Sequence, residues 1–358
     1  MTNFNVIAAA AKSIKSGKTD TQNALSSEIP LISLSAILLT SVAIPILLKK
    51  FNSKALTGNL YRYVWAIAFI FNCYCVSIPG RFDGQDGKMK DGKISAVWKS
   101  AFAPSGWAFA IWGVIYLVEL LATSYISLSP ASWTFGATSQ KYITQKTTSL
   151  FGFAQDEISK EIGPSTIIVD TFRKASLAWL AGNLYQCLWC YAFRPKFQSY
   201  LWLPAALLSL GAISFFSCHN TLTTGIESCN SFASKALLTL IRFPISLHGS
   251  WLTAASLLNL NGWAAVSNVS PSDQIALANA SAYVAAIFGI TYTLYTKDPF
   301  IGFTIAWALS ALADKTKTNP DVADVTGLVA TKALATTETF LSSLLLVVSI
   351  SSPFTPKF

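Results

Sequence analysis

Nine apolar stretches, separated mostly by short polar turns, decide what this chain can become. A run of about 20 apolar residues crosses a bilayer as a helix. The stretches run from about Leu31 to Leu48, Leu60 to Ile78, Phe102 to Ile126, Ala175 to Phe193, Tyr200 to Cys218, Ala236 to Trp263, Ile275 to Tyr295, Pro299 to Ala313 and Ala333 to Ile350. The eighth is short for a full crossing; the other eight are comfortable. Lys49-Lys50 closes the first, Pro79-Gly80 the second, and Arg194-Pro195-Lys196 turns the fourth into the fifth. Only 12% of the 358 residues are charged, against about 25% in soluble domains, and mean hydropathy is +0.47. Such a chain cannot cover a water-exposed globule. It reads as an all-α polytopic transmembrane bundle of eight or nine spans, with no repeat of fixed period and no Gly- or Ser-rich linker.

The same features exclude several functions. The net charge of +9 is spread over short loops without interleaved aromatics, which suits anionic lipid headgroups and not nucleic acid. Lys and Arg divide almost evenly between the two sides, so no orientation follows. Residues 1–28 are polar and lack a secretory h-region, and read as a membrane-skimming tail. The longest extramembrane piece is expected at Ser127 to Lys174, with one short amphipathic helix near Asp156 to Ile162. There is no P-loop, no GxSxG, no HExxH and no dinucleotide fingerprint, and two histidines leave little for acid–base chemistry. The chain therefore reads as no enzyme. Cys187 and Cys190 spell CxxC but sit inside an apolar helix, where thiols pack as small hydrophobes. Cys218 and Cys229 flank HNTLTTGIES, read as a loop, and would bridge in an oxidising compartment. His219 beside Cys218 offers too few ligands for a metal.

The third stretch carries the most chemistry. FAPSGWAFAIWGVIYLVE starts at Pro104-Ser105-Gly106, which suits a helix start. On a helical wheel Phe109, Trp112, Tyr116 and Glu119 share one face while Trp107 points away. Three aromatic rings with a carboxylate resemble the wall of a ligand pocket more than a lipid-facing stripe. In the fourth stretch Asn183, Gln186 and Trp189 recur every three residues, either as polar glue between helices or as ligand contacts. The sixth places Pro244, His248, Trp251, Ala255 and Asn259 on one broad face, with Gly249, Ser250, Thr253, Ala254 and Ser256 keeping the helix slim. Ionisable groups at membrane depth are costly and point to function. Glu119 is expected to pair with Arg242 or with His248, unless Arg242 snorkels to the interface.

PSGWAFAIWGVIYL resembles the second-helix signature of the tryptophan-rich sensory protein family, also called the translocator protein or peripheral benzodiazepine receptor family (TspO/MBR). A polar-amide and Trp helix at Asn183 to Trp189, then a Pro-Trp-Ala-Asn helix at Pro244 to Asn259, follow in the same order. The loop GRFDGQDGKMKDGKIS and the segment Asp298 to Leu309 are similar to the longer, bacterial-type members, and the likeness runs from about Tyr61 to Ile350. It implies a five-helix core at 58–263, with helices added at 264–358; the polar tail and extra helix at 1–57 and the long polar loop at 127–174 are not part of the short family pattern. It also implies a pocket for a porphyrin or related tetrapyrrole, for sensing or transport, lined by Trp107, Phe109, Trp112, Tyr116, Asn183, Trp189, Trp251 and Ala255. Glu119 and His248 join that ligand-binding set from their own chemistry. No catalytic residue and no metal are expected, and no cofactor beyond such a tetrapyrrole ligand. The expected partners are membrane lipids, a hydrophobic small molecule and a second copy or the subunits of a larger membrane complex. An organelle membrane, plastid or mitochondrial, fits. The runner-up is a structural accessory subunit of a photosynthetic or respiratory complex, its pocket vestigial or lipid-filled. Flat apolar ligands suit aromatic walls with a few fixed polar groups.

Overall fold

The computed structural model describes residues 59–82, 100–129, 164–194, 197, 200–267, 269–318 and 327–354. The first apolar stretch, most of the loop before Ser100 and the helix expected near Asp156 lie outside them. Among the described residues the chain forms eight α-helices and no strand. They are α1 (Leu60–Ser77), α2 (Ile111–Leu128), α3 (Pro164–Ala192), α4 (Trp202–Ser228), α5 (Phe232–Val266), α6 (Pro271–Thr296), α7 (Pro299–Thr318) and α8 (Leu328–Ser351).

Three boundaries correct the sequence reading, and hydroxyl chemistry explains one of them. The polar stretch after Cys218 is the last third of α4, not a loop. Thr221, Thr223, Thr224 and Ser228 each donate to the carbonyl four residues back, so their side chains stay satisfied within the helix. Cys218 is consequently buried inside α4, some three turns from Cys229, and both are free thiols. Likewise α3 begins at Pro164, inside the expected loop, and an Asp170–Lys174 ion pair at 2.7 Å braces its exposed side one turn apart. Pro104 to Ala110 is not yet α-helix: a 3-10 turn, Gly106–Ala110, leads into α2.

The first five helices close a ring. α1 packs on α2 and α3, α3 on α4, α4 on α5, and α5 returns to α2. Helices α6, α7 and α8 pack on one another and form an outer layer against α5, with α7 also touching the 3-10 turn. Among the described residues, five helices are long and apolar enough to cross a membrane: α1, α2 with its 3-10 lead-in, α4, α6, and α8 extended to Phe354. Both layers flank α5, which buries Arg242, Ser246, His248, Ser250, Asn259 and Asn261. By contrast α1 turns Tyr63, Ile67, Ile70, Phe71 and Tyr74 outward, the composition a lipid-facing side requires.

Candidate functional site

Glu119 and His248 meet in the middle of the ring. Glu119 Oε1 lies 2.6 Å from His248 Nδ1, and both side chains are 0% exposed. A carboxylate at Glu119 accepts from Nδ1–H, while Nε2 is an acceptor in the neutral imidazole and a donor in the imidazolium. The imidazole is sandwiched by rings. Phe215 of α4 stacks on it at 4.0 Å between centroids, and Trp112 meets it edge-on at 5.5 Å. Trp251 stands perpendicular to Trp112 at 6.1 Å, and Phe109 perpendicular to Trp251 at 5.9 Å. Gly182 lets Phe215 come this close: a Cβ there would sit 2.8 Å from the ring. Three buried polar atoms on this wall have no hydrogen-bond partner: Glu119 Oε2, His248 Nε2 and Trp251 Nε1.

A chain of amides continues the polar line from Tyr116. Its hydroxyl donates to Asn72 Oδ1 at 3.2 Å and accepts from Gln186 Nε2 at 3.1 Å. Asn72 Nδ2 in turn reaches Asn183 Oδ1 and Gln186 Oε1, both at 2.7 Å. Three helices are thus joined by side chains that would otherwise be unpaired in an apolar interior. A second ionic node lies nearer the α6–α7 turn. Asp298 Oδ1 caps α7 by accepting from the Phe300 N–H at 3.1 Å, with Pro299 opening the helix behind it. Its Oδ2 accepts from Ser246 Oγ at 2.6 Å and lies 2.9 Å from His219 Nε2 and 3.1 Å from Arg242 Nε. Lys297, in the left-handed region at φ 57°, makes the two-residue turn possible.

The model of the family described as TSPO-like protein matches residues 59–350, most of the chain. The chain belongs to that family. No curated protein and no solved structure matches it. The match begins at α1 and ends in α8, so both the ring and the outer layer lie within the TSPO-like region. With its apolar helices, this makes the chain an integral membrane protein.

Within this TSPO-like bundle, Trp112, Tyr116, Glu119, His248 and Trp251 come together, with Phe109 at their edge. Asn183 joins them through Asn72 and Gln186. Trp189 lies further along α3, its indole N–H 3.4 Å from Asn259 Oδ1, and Ala255 sits one turn from that asparagine on α5. Trp107 does not join them. It faces α7, edge-on to Trp307 at 4.7 Å and donating to Asp314 Oδ2 at 3.0 Å. Ser105 donates to the same oxygen at 2.6 Å, and Trp307 donates to the Ala108 carbonyl at 3.0 Å. The PSGW and AWAL segments, some 200 residues apart, are therefore one seam between layers. Of the two partners weighed for Glu119, His248 takes it, while Arg242 is buried against Asp298 and does not snorkel.

Sequence reasoning missed Asn72, Phe215 and Asp298 as members of these clusters. Asn72 had a signal, a lone amide in the run AIAFIFNCYC. Phe215, one of 23 phenylalanines, had none. The ring interior is filled by its own side chains. A cavity of about 10 Å³ lies between the layers, lined by Phe102, Trp251, Ala254, Leu257 and Leu309 among others. That is room for no more than about one water.

Proposed function

We propose that the ring binds a flat, largely apolar ligand, a porphyrin or related tetrapyrrole, for sensing or transport across the membrane. The observation that carries this reading is the set of unpartnered polar atoms on an aromatic wall. Glu119 Oε2, His248 Nε2 and Trp251 Nε1 are buried among Trp112, Tyr116 and Phe215 without hydrogen bonds. An unmade bond in such surroundings costs about 1–3 kcal/mol, which a ligand with a few matching polar atoms recovers. Entry requires side chains to yield, because the interior is closed.

The test is a titration of the purified protein in detergent with protoporphyrin IX, following tryptophan fluorescence, in wild type and in Trp112→Ala. Saturable quenching that weakens about tenfold in the variant, about 1.4 kcal/mol, is expected. Quenching that never saturates, or ignores the substitution, argues for the second reading. That reading is a structural subunit of a larger membrane assembly, and the filled interior favours it. Its signature is stoichiometric co-migration with other subunits on a native gel.

A further inference from the structure

Glu119 and Asp298, each at most 1% exposed, lie against cationic or imidazole partners. Glu338 of α8 is equally shut off, at 0% exposed, and has none. Neither carboxyl oxygen has a hydrogen-bond partner, and among the described residues no cation lies within ion-pair distance of it. We propose that Glu338 is a proton-binding site of the outer layer, holding a proton at neutral pH and exchanging it with the aqueous phase beyond the end of α7.

The packing places it there. One turn beyond Glu338, Ser342 Oγ donates to the Ala306 carbonyl at 3.0 Å and meets Ser310 Oγ at 2.7 Å. Leu345 lies against Gly289 of α6. These contacts fix α8 on α7 and α6, and bring Glu338 beside Thr316, whose Oγ1 is also buried and without a bond in suitable geometry. Thr316 belongs to the last turn of α7. The carbonyls of a final turn lack helical donors and give that end a partial negative charge. An anionic carboxylate is repelled there. A neutral carboxylic acid is welcome, since its O–H donates to a hydroxyl or carbonyl oxygen. A buried charge without a partner is the more costly state by far.

The surrounding charges do not reverse this. On α7, Asp314 is engaged by Ser105 and Trp107, Lys315 is half-buried, and Lys317 is exposed to solvent. α6, which meets α8 at Gly289, has Asp273 in its first turn as its one charged side chain, besides Tyr283, Tyr292 and Tyr295. On α8 itself Lys332 is exposed, more than one turn away. Thr316 lies two residues from the end of α7 at Thr318, which sets Glu338 near one end of the outer layer.

The experiment is infrared spectroscopy of the full chain in detergent at neutral pH, comparing wild type, Glu338→Gln and Lys317→Met. The expected result is a protonated-carboxyl C=O band in wild type that Glu338→Gln lacks, that Lys317→Met leaves in place, and that fades reversibly as pH rises. Glu338→Gln, a neutral isostere, should unfold at the wild-type temperature. A hydrophobic carbodiimide, which adds to neutral carboxylic acids, should label Glu338 in wild type. Three results overturn the proposal: no such band in wild type, a band insensitive to pH, or a band that appears only in Lys317→Met, which would reveal an ion pair with that lysine.

Discussion

The ring and the outer layer treat buried acid groups in opposite ways. In the ring, Glu119 is matched to His248 and walled by aromatics; at the junction, Asp298 is matched to Arg242, His219 and Ser246. In the outer layer, Glu338 is fully buried near Thr316, and neither of its carboxyl oxygens has a hydrogen-bond partner. The difference teaches that burial alone does not define a carboxylate's role. A paired group is positioned, and its loss strands its partner. An unpaired one survives only in a state that needs no partner.

The largest effect should come from breaking the best-paired group. Asp298→Ala leaves Arg242 buried without its counter-ion and uncaps α7. It should destabilise the bundle by about 3–5 kcal/mol, read as a lowered unfolding temperature in detergent. Replacing Arg242 and Asp298 together by apolar residues should cost far less. If the single and double variants are equally damaged, the pairing is not what holds the junction.

A smaller effect separates ring interior from lipid face. Gly182→Ala drives a methyl into Phe215 and should cost about 1–3 kcal/mol, and should also disturb the stacking of Phe215 on His248. Gly113→Ala, on α2, meets nothing within 4 Å. There the gain in helix propensity should leave stability unchanged or raise it by up to about 1 kcal/mol. Equal behaviour of the two would mean that the ring is looser than its contacts imply.

The smallest effect concerns the seam at Asp314, which lies just beyond the apolar part of α7. The Ser105 hydroxyl and then the Trp107 indole donate to its carboxylate and hold it below the usual carboxylate range. The folded state then binds this proton less readily than the unfolded one. Its contribution is present above the ordinary carboxylate pKa and is lost as pH falls through the lowered folded value. Exposure to solvent keeps that contribution small. Asp314→Asn should flatten the acid limb of stability against pH without moving the neutral plateau. An unchanged acid limb would show the seam to rest on the bonds that bypass Asp314, from Ser105 N–H to the Ala311 carbonyl and from the Trp307 indole to the Ala108 carbonyl.

How much of this was legible beforehand depended on whether the information was local. Apolar length, scarcity of charge and the order of the Trp-rich and amide-rich stretches are properties of the chain itself, and they determined a helical membrane bundle of the TSPO-like type. The Trp112–Tyr116–Glu119 face was legible too, because helical periodicity puts those side chains on one side, whereas Phe109 precedes α2 on the 3-10 turn. Helix ends were less so: the Thr- and Ser-rich end of α4 reads as a loop until its hydroxyls are seen bonding back along the helix. Pairing was decided only in three dimensions. Nothing in the sequence says that Glu119 meets His248 and not Arg242, that Trp107 serves the seam and not the ring, or that Asp298 both caps a helix and neutralises an arginine. A partner 50 or 200 residues away is chosen by which helices become neighbours and at what depth their side chains come level. That choice belongs to the packing of the bundle, where an unpaired polar group costs more than any local preference can return.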